Sequence, residues 1–270
     1  MRLTCSFLLI VVSFFGLSSY VLASSLKDAT EAYNNKNYER ALIILRPLAD
    51  NGDPVAQYNI GTMYGSGLGL NQDYKQAIIW YMRSAEQEYP AAQFNLGVMY
   101  QKGQGVLKDY NNAIFWYSKA AKHGYPGAQF NLGNMYRRGD GVLQDYKKAV
   151  IWYLKSANQD YAPAQFNMGL AYSDGLGVGR DYKQAIYWFR RAADQGDSDS
   201  QFNLGLMYIT GRGVTQDYIQ AHKWLNISAA RATDFNEASN AAKERDRIAL
   251  KMSRESIDEA QRQASIWRPK

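Results

Sequence analysis

Ala92-Gln-Phe-Asn-Leu-Gly97 is one of five near-copies of a single string. The others are Ala56-Gln-Tyr-Asn-Ile-Gly61, Ala128-Gln-Phe-Asn-Leu-Gly133, Ala164-Gln-Phe-Asn-Met-Gly169 and Ser200-Gln-Phe-Asn-Leu-Gly205. Each begins 36 residues after the last, with no insertion or deletion. A period of about 20–50 residues marks a stacked-repeat architecture, whose units cannot bury their apolar faces alone. Counting Ala56 as zero, positions 0, 4, 7 and 8 lie within about 100° on a helical wheel. They hold Ala, a Leu-type residue, mostly Met, and Tyr. That face predicts a core-facing helix A.

The rest of the repeat keeps the same register. Helix A runs into Gly67-Leu-Gly69, Gly103-Gln-Gly105, Gly139-Asp-Gly141, Gly175-Leu-Gly177 and Gly211-Arg-Gly213, pairs that suit a chain leaving a helix through positive φ. The first can be written as a nucleotide-type glycine string, but such fingerprints follow a strand and none is expected here. Asp73, Asp109, Asp145, Asp181 and Asp217 then open a helix B. An Asp there caps free backbone N–H groups and meets the positive end of the dipole. Spaced a repeat apart, the five carboxylates cannot converge on one metal ion. Trp80, Trp116, Trp152, Trp188 and Trp224 follow in register, as packing residues rather than a sugar-binding ladder. Asp53-Pro54, with Pro90, Pro126 and Pro163, marks where each helix A begins.

These observations predict an all-α fold of antiparallel helix pairs. Residues 1–23, with Arg2 ahead of an apolar run and Ala23 at the end, are expected to be a cleaved signal peptide. Residues 24–53 form an N-terminal capping pair, and 54–233 form five repeats at 54–89, 90–125, 126–161, 162–197 and 198–233. Residues 234–270 form capping helices, with capping boxes at Asp234 and Ser256. The single cysteine, Cys5, lies in the leader, so packing alone stabilises the mature chain. The net charge of +6 is spread along the sequence without a basic stripe, which argues against nucleic acid as a partner. No stable membrane insertion is expected once the leader is removed.

Ala-Gln-Phe-Asn-Leu-Gly, then Met-Tyr, Gly-x-Gly, Asp-Tyr, x-x-Ala-x-x-Trp and Ala-Ala form a specific string that resembles the Sel1-like repeat, a relative of the tetratricopeptide repeat. The resemblance implies a right-handed α-solenoid acting as an adaptor in bacterial protein assemblies, with some exported members touching host proteins. With the expected leader of residues 1–23, the expectation is an exported scaffold, periplasmic or secreted. A cysteine-rich branch linked to β-lactam binding or hydrolysis supplies the alternative, a cell-wall or β-lactam hydrolase. This chain lacks that branch's disulfides.

No catalytic constellation is expected, and neither a cofactor nor a metal. Ser24-Ser-Leu-Lys27 satisfies S-x-x-K without the partner motifs of that chemistry. His123 sits at a helix end, and His222 takes the core place of Ile78, as a buried imidazole with its hydrogen bonds satisfied. A binding surface is easier to argue, for a protein or peptide ligand. Beside the core stripe of helix A, position 3 is always Asn: Asn59, Asn95, Asn131, Asn167 and Asn203. Position 6 varies through Thr62, Val98, Asn134, Leu170 and Leu206, and position 10 through Ser66, Lys102, Arg138, Asp174 and Thr210. In helical-pair solenoids the A helices line the concave side. An Asn ladder there could hold the main chain of an extended peptide, helped by Gln93, Gln129 and Gln165, with positions 6 and 10 setting specificity. Equally, each Asn could tie its own loop or the next helix together.

Overall fold

The computed structural model describes residues 25–269; the expected leader, residues 1–23, lies outside them. The chain divides into two compact units, one ending at His123 and one beginning at Gly124. In the first, α1 covers residues 25–34 and α2 Tyr38–Asp50; α3 (Pro54–Ser66) pairs with α4 (Tyr74–Glu86), and α5 (Pro90–Lys102) with α6 (Tyr110–Lys122). In the second, α7 (Pro126–Arg138) pairs with α8 (Tyr146–Ala157), α9 (Ala162–Asp174) with α10 (Tyr182–Asp194), and α11 (Ser198–Thr210) with α12 (Tyr218–Arg231). Finally α13 (Phe235–Ala249) and α14 (Arg254–Ile266) pack on α12. The described residues are all-α, in stacked helix pairs.

Helix A packs as the wheel predicts. Ala56, Ile60 and Met63 are fully buried, as are Ala164 and Met168. The sixth motif residue has a sharper reason. A Cβ at Gly61, Gly97, Gly133 or Gly169 would lie 2.5–2.7 Å from a ring carbon of Tyr81, Tyr117, Tyr153 or Phe189. At Gly205 it would meet Leu225 at 2.7 Å. No side chain fits, so glycine lets helix A lie directly on the large residue of helix B.

The two loop glycines divide their work. Gly67, Gly103, Gly139, Gly175 and Gly211 close helix A at φ of 66–79°, each donating to the carbonyl four residues back. The second glycine does more than turn the chain. Gly69, Gly105, Gly177 and Gly213 also press on Tyr38, Tyr74, Tyr146 and Tyr182, where a Cβ would come within 3.0 Å of backbone atoms. These four loops thereby seat on the start of the preceding helix B.

Each helix-B Asp caps as expected, accepting from backbone N–H groups two or three residues on at 2.8–3.1 Å. Helix A divides into two cases. Asp53 and Asp197 accept from Ala56 N and Ser200 N, whereas Tyr89, Tyr125 and Tyr161 stand at the cap without a side-chain cap bond. The Tyr89 and Tyr161 rings instead lie 5.2 and 5.5 Å from Tyr58 and Phe130. At the last helix the expected box is displaced. Ser253, not Ser256, caps α14, accepting from Ser256 N at 3.2 Å, because the tight turn after α13 lets the helix begin one turn earlier. Trp80, Trp116, Trp188 and Trp224 are buried, while Trp152 is half-buried. Trp267 closes over Trp224 edge-on at 6.1 Å.

The glycine–ring fit gives a direct test. Gly97→Ala should destabilise the protein by about 1–3 kcal/mol, the usual cost of overpacking. Gly179→Ala, where an added Cβ meets nothing within 4 Å, should be close to neutral. Equal denaturation midpoints for the two variants would remove the glycine–ring contact as the reason for the motif's last residue.

Candidate functional site

The residues expected to form a binding face fall into three classes. Gln93, Gln129 and Gln165 are buried, and with Gln57 and Gln201 they serve the stack itself. Gln57, Gln93, Gln165 and Gln201 each donate Nε2 to the carbonyl of Ala49, Ala85, Ala157 or Ala193 at 3.1–3.2 Å, tying helix A to the preceding helix B. The Oε1 atoms of Gln57, Gln129 and Gln165 accept from Gln87, Gln159 and Gln195 at 2.8–2.9 Å. The expectation that Gln93, Gln129 and Gln165 meet a ligand is therefore corrected: a side chain spent on the neighbouring helix and removed from solvent cannot read a partner.

Position 6 also has an internal explanation. Tyr81 donates to Thr62 Oγ1 at 3.2 Å, and Tyr153 donates to Asn134 Oδ1 at 2.8 Å. Tyr117 faces a repeat with Val98 and turns instead to Gln101 Oε1 at 2.7 Å. Where helix B carries Phe189 or Leu225, which have no hydroxyl, position 6 is Leu170 or Leu206. Burial raises the Tyr81 and Tyr153 hydroxyls above their ordinary range, so they stay protonated and able to donate. Except at Val98, the residue at position 6 thus matches the residue opposite, and Asn134 is corrected from a specificity residue to the partner of Tyr153.

The Asn row and position 10 remain. All five Asn side chains are half-buried. Asn167 and Asn203 donate to the carbonyls of Pro163 and Asp199 at 2.9 and 2.8 Å, and Asn95 bonds the Tyr81 hydroxyl. Asn59 and Asn131 have no hydrogen-bond partner among the described residues. Asn167 and Asn203 are thus committed to their own helix and Asn95 to the Tyr81 hydroxyl, which leaves the Asn59 and Asn131 side chains without an internal role among the described residues. Ser66, Lys102, Arg138, Asp174 and Thr210 are all exposed. Within the second unit, Asn167, Leu170 and Asp174 share a pocket of about 140 Å³ with Arg137, Tyr146 and Val150. Arg137, which precedes Arg138 in α7, was not among the expected residues.

The helix-B surface carries a second pattern that the motif alone did not reveal. Ile43, Ile79 and Phe115 in the first unit, and Ile151 and Tyr187 in the second, are exposed apolar residues at one register. Arg83, Lys119, Lys155 and Arg191 lie over the Trp ring of their own helix at 4.4–5.2 Å. Their stems cover the aromatic surface that packing leaves open.

His222 is buried as expected, but its Nδ1 has no partner among the described residues, so the expected satisfied imidazole is corrected. Burial first, and then the nearby Arg245, hold its pKa below the ordinary value, while Asp246 opposes them. Among the described residues no three His, Cys, Asp or Glu side chains gather as a metal site.

A family model for the Sel1 repeat matches residues 54–89, 90–125, 126–161, 162–197 and 198–232. The chain is similar to the crystal structure of a Sel1 repeat protein from Oxalobacter formigenes, at 35% identity and a TM-score of 0.77, covering 90% of this chain and 96% of that one. It is also similar to c5321, described as a protective antigen present in uropathogenic Escherichia coli strains displaying an SLR fold. That match has 28% identity and a TM-score of 0.57, covering 90% of this chain and 60% of that one. No curated protein matches the chain.

The imidazole offers a test through pH. The folded state holds His222 neutral, so the unfolded chain binds the extra proton as pH falls through about 6.5, and stability is lost below that point. The other repeats place Ile78, Ile114, Val150 and Ile186 here. His222→Ile should therefore flatten the fall in Tm between about pH 7.5 and about 5.5. An unchanged slope would show that other groups carry it.

Proposed function

The chain belongs to the Sel1 repeat family, and from that membership we propose that it is an exported, non-enzymatic scaffold holding an extended protein segment against its A helices. Sel1 repeat proteins are commonly protein–protein interaction scaffolds. One observation carries the reading. The positions that build the stack repeat almost unchanged, whereas position 10, exposed in every repeat, runs through Ser66, Lys102, Arg138, Asp174 and Thr210. Constant packing with a varied, exposed register is what a repeat protein needs to read a sequence along its length. The half-buried Asn59 and Asn131 stand beside that register with uncommitted amides, able to donate to and accept from a main chain.

Export is supported by the leader-like pattern of residues 1–23. The related Escherichia coli protein is described as a protective antigen, which supports a place at or beyond the envelope for this one. Among the described residues no helix is long and apolar enough to cross a membrane. Amino-terminal sequencing of the protein from its native host should begin at Ser24; recovery with Met1 or Arg2 intact would remove the leader assignment.

The binding face is tested by photo-crosslinking in the native host. A photoreactive amino acid at Lys102 or Arg138 should capture a discrete partner, while the same group at Lys75 or Lys183, exposed on helix B, should not. Adducts formed only from Lys75 and Lys183 would move the interface to the opposite helices.

A further inference from the structure

Helix α8 and the loop leading into it carry a face that the stack does not use. Leu143, in the loop, is 91% exposed, and Ile151 and Leu154, on the helix, are 54% and 39% exposed. No other repeat is apolar at all three of these registers, the set being broken by Asn71, Ser118, Gly179 or Thr215. Lys147, Lys148 and Lys155 stand among them, all exposed. With Lys147 as zero on a wheel of 3.6 residues per turn, Leu154, Ile151, Lys155 and Lys148 fall between about −20° and about 100°. The apolar tips and the ammonium groups of α8 therefore share one outward stripe.

The charges on this stripe are not balanced. Lys148 pairs with Asp145, the helix cap, at 3.8 Å. Just past the helix end, Asp160 is held by Arg191, which also donates to the Tyr187 hydroxyl and so sets a half-exposed ring beside the carboxyl end of α8. Lys147 has no ion pair among the described residues, and Lys155 lies over the half-buried Trp152 ring at 4.4 Å. The acids at either end are each met by a cation, and Lys147 and Lys155 are left in excess.

That composition narrows what covers the stripe. Protein interfaces are depleted in lysine, a flexible and strongly hydrated cation. An anionic bilayer surface accepts the same pattern readily. Lysine stems snorkel so that the ammonium stays at the phosphates while apolar tips sink below them, and each cation gains from the surface potential. Tyr and Trp rings settle at that same level. Among the described residues no helix is long and apolar enough to cross a membrane, so such a contact is peripheral.

We propose that the outward stripe of α8 docks the second unit on the anionic surface of a lipid bilayer. Leu143, Ile151 and Leu154 enter the headgroup boundary, and Lys147 and Lys155 meet lipid phosphates. The stripe lies on a B helix, so this contact is independent of a protein ligand on the A helices.

Cosedimentation of the full chain with vesicles tests the contact. Vesicles of equal parts phosphatidylglycerol and phosphatidylcholine should bind the protein saturably, and vesicles of phosphatidylcholine alone should not. The double variant Lys147→Gln, Lys155→Gln should weaken binding by about tenfold or more. Leu143→Gln with Ile151→Gln should weaken it by a similar factor. Lys243→Gln with Lys251→Gln, the same loss of charge at exposed positions of α13 and the turn after it, should leave binding within about twofold. The substituted side chains are all exposed, so each variant should keep the Tm of the unsubstituted protein. No binding to the anionic vesicles, or an equal loss from the Lys243 and Lys251 pair, would overturn the proposal. Binding to anionic vesicles that survives loss of Leu143 and Ile151, together with equally tight binding to soluble polyglutamate, would also overturn it, in favour of an acidic protein.

Discussion

A helix can rest on an aromatic ring only where it has no side chain to hold it off. In four repeats a helix-A glycine accepts that approach from Tyr81, Tyr117, Tyr153 or Phe189, and in the fifth from Leu225. Much else follows from this distance. With the ring flat against helix A, its hydroxyl ends up beside positions 6 and 9, where Thr62, Gln101 or Asn134 must receive it. On its other side helix A is held by Gln93 and its counterparts, which bond the carbonyls of the preceding helix B. The motif's glycine and glutamine thus fix helix A against the helices that follow and precede it.

The constraint also explains which features could be read from the sequence. The wheel placed Ala56, Ile60 and Met63 in the core because burial of apolar groups depends only on periodicity. The helix-B Asp caps were legible because their bonds are local. Gln93 was misread because its role depends on a carbonyl of another helix, and a polar residue beside a core stripe looks the same whether it faces solvent or a neighbour. Asn134 was misread for the same reason, though a signal existed: position 6 is polar in the repeats whose rings are Tyr81 and Tyr153 and apolar where the ring is Phe189. Comparing the two columns shows the pairing in every repeat but that of Tyr117, which has Val98 at position 6. Arg137 left no such trace, since its isolation is a property of what surrounds it.

Not every repeat carries its geometry at equal cost. The turn from helix B into the next helix A places one residue at positive φ, and Gly52, Gly124 and Gly196 take it readily. At the same register Glu88 and Asp160 hold φ of 61° and 58°, a conformation that costs a side-chain-bearing residue roughly 1–2 kcal/mol. Asp160 recovers part of this through Arg191 at 2.5 Å and Gln165 at 3.1 Å. Glu88 has no such bond among the described residues, so the turn before α5 carries its strain unaided.

The glutamine bonds reach either 8 residues back, to an Ala carbonyl, or 30 residues forward, to another Gln. Contacts this short in sequence let folding begin at any repeat and spread to its neighbours, as a one-dimensional zipper does. They also govern how such a gene can grow. A duplicated block of 36 residues supplies its own carbonyl behind and its own amide ahead, whereas one added residue breaks the spacing of the glutamine bonds that span it. The length of the array is thus left open by its packing, and its reading face can be extended a whole unit at a time without redesigning any side chain already there.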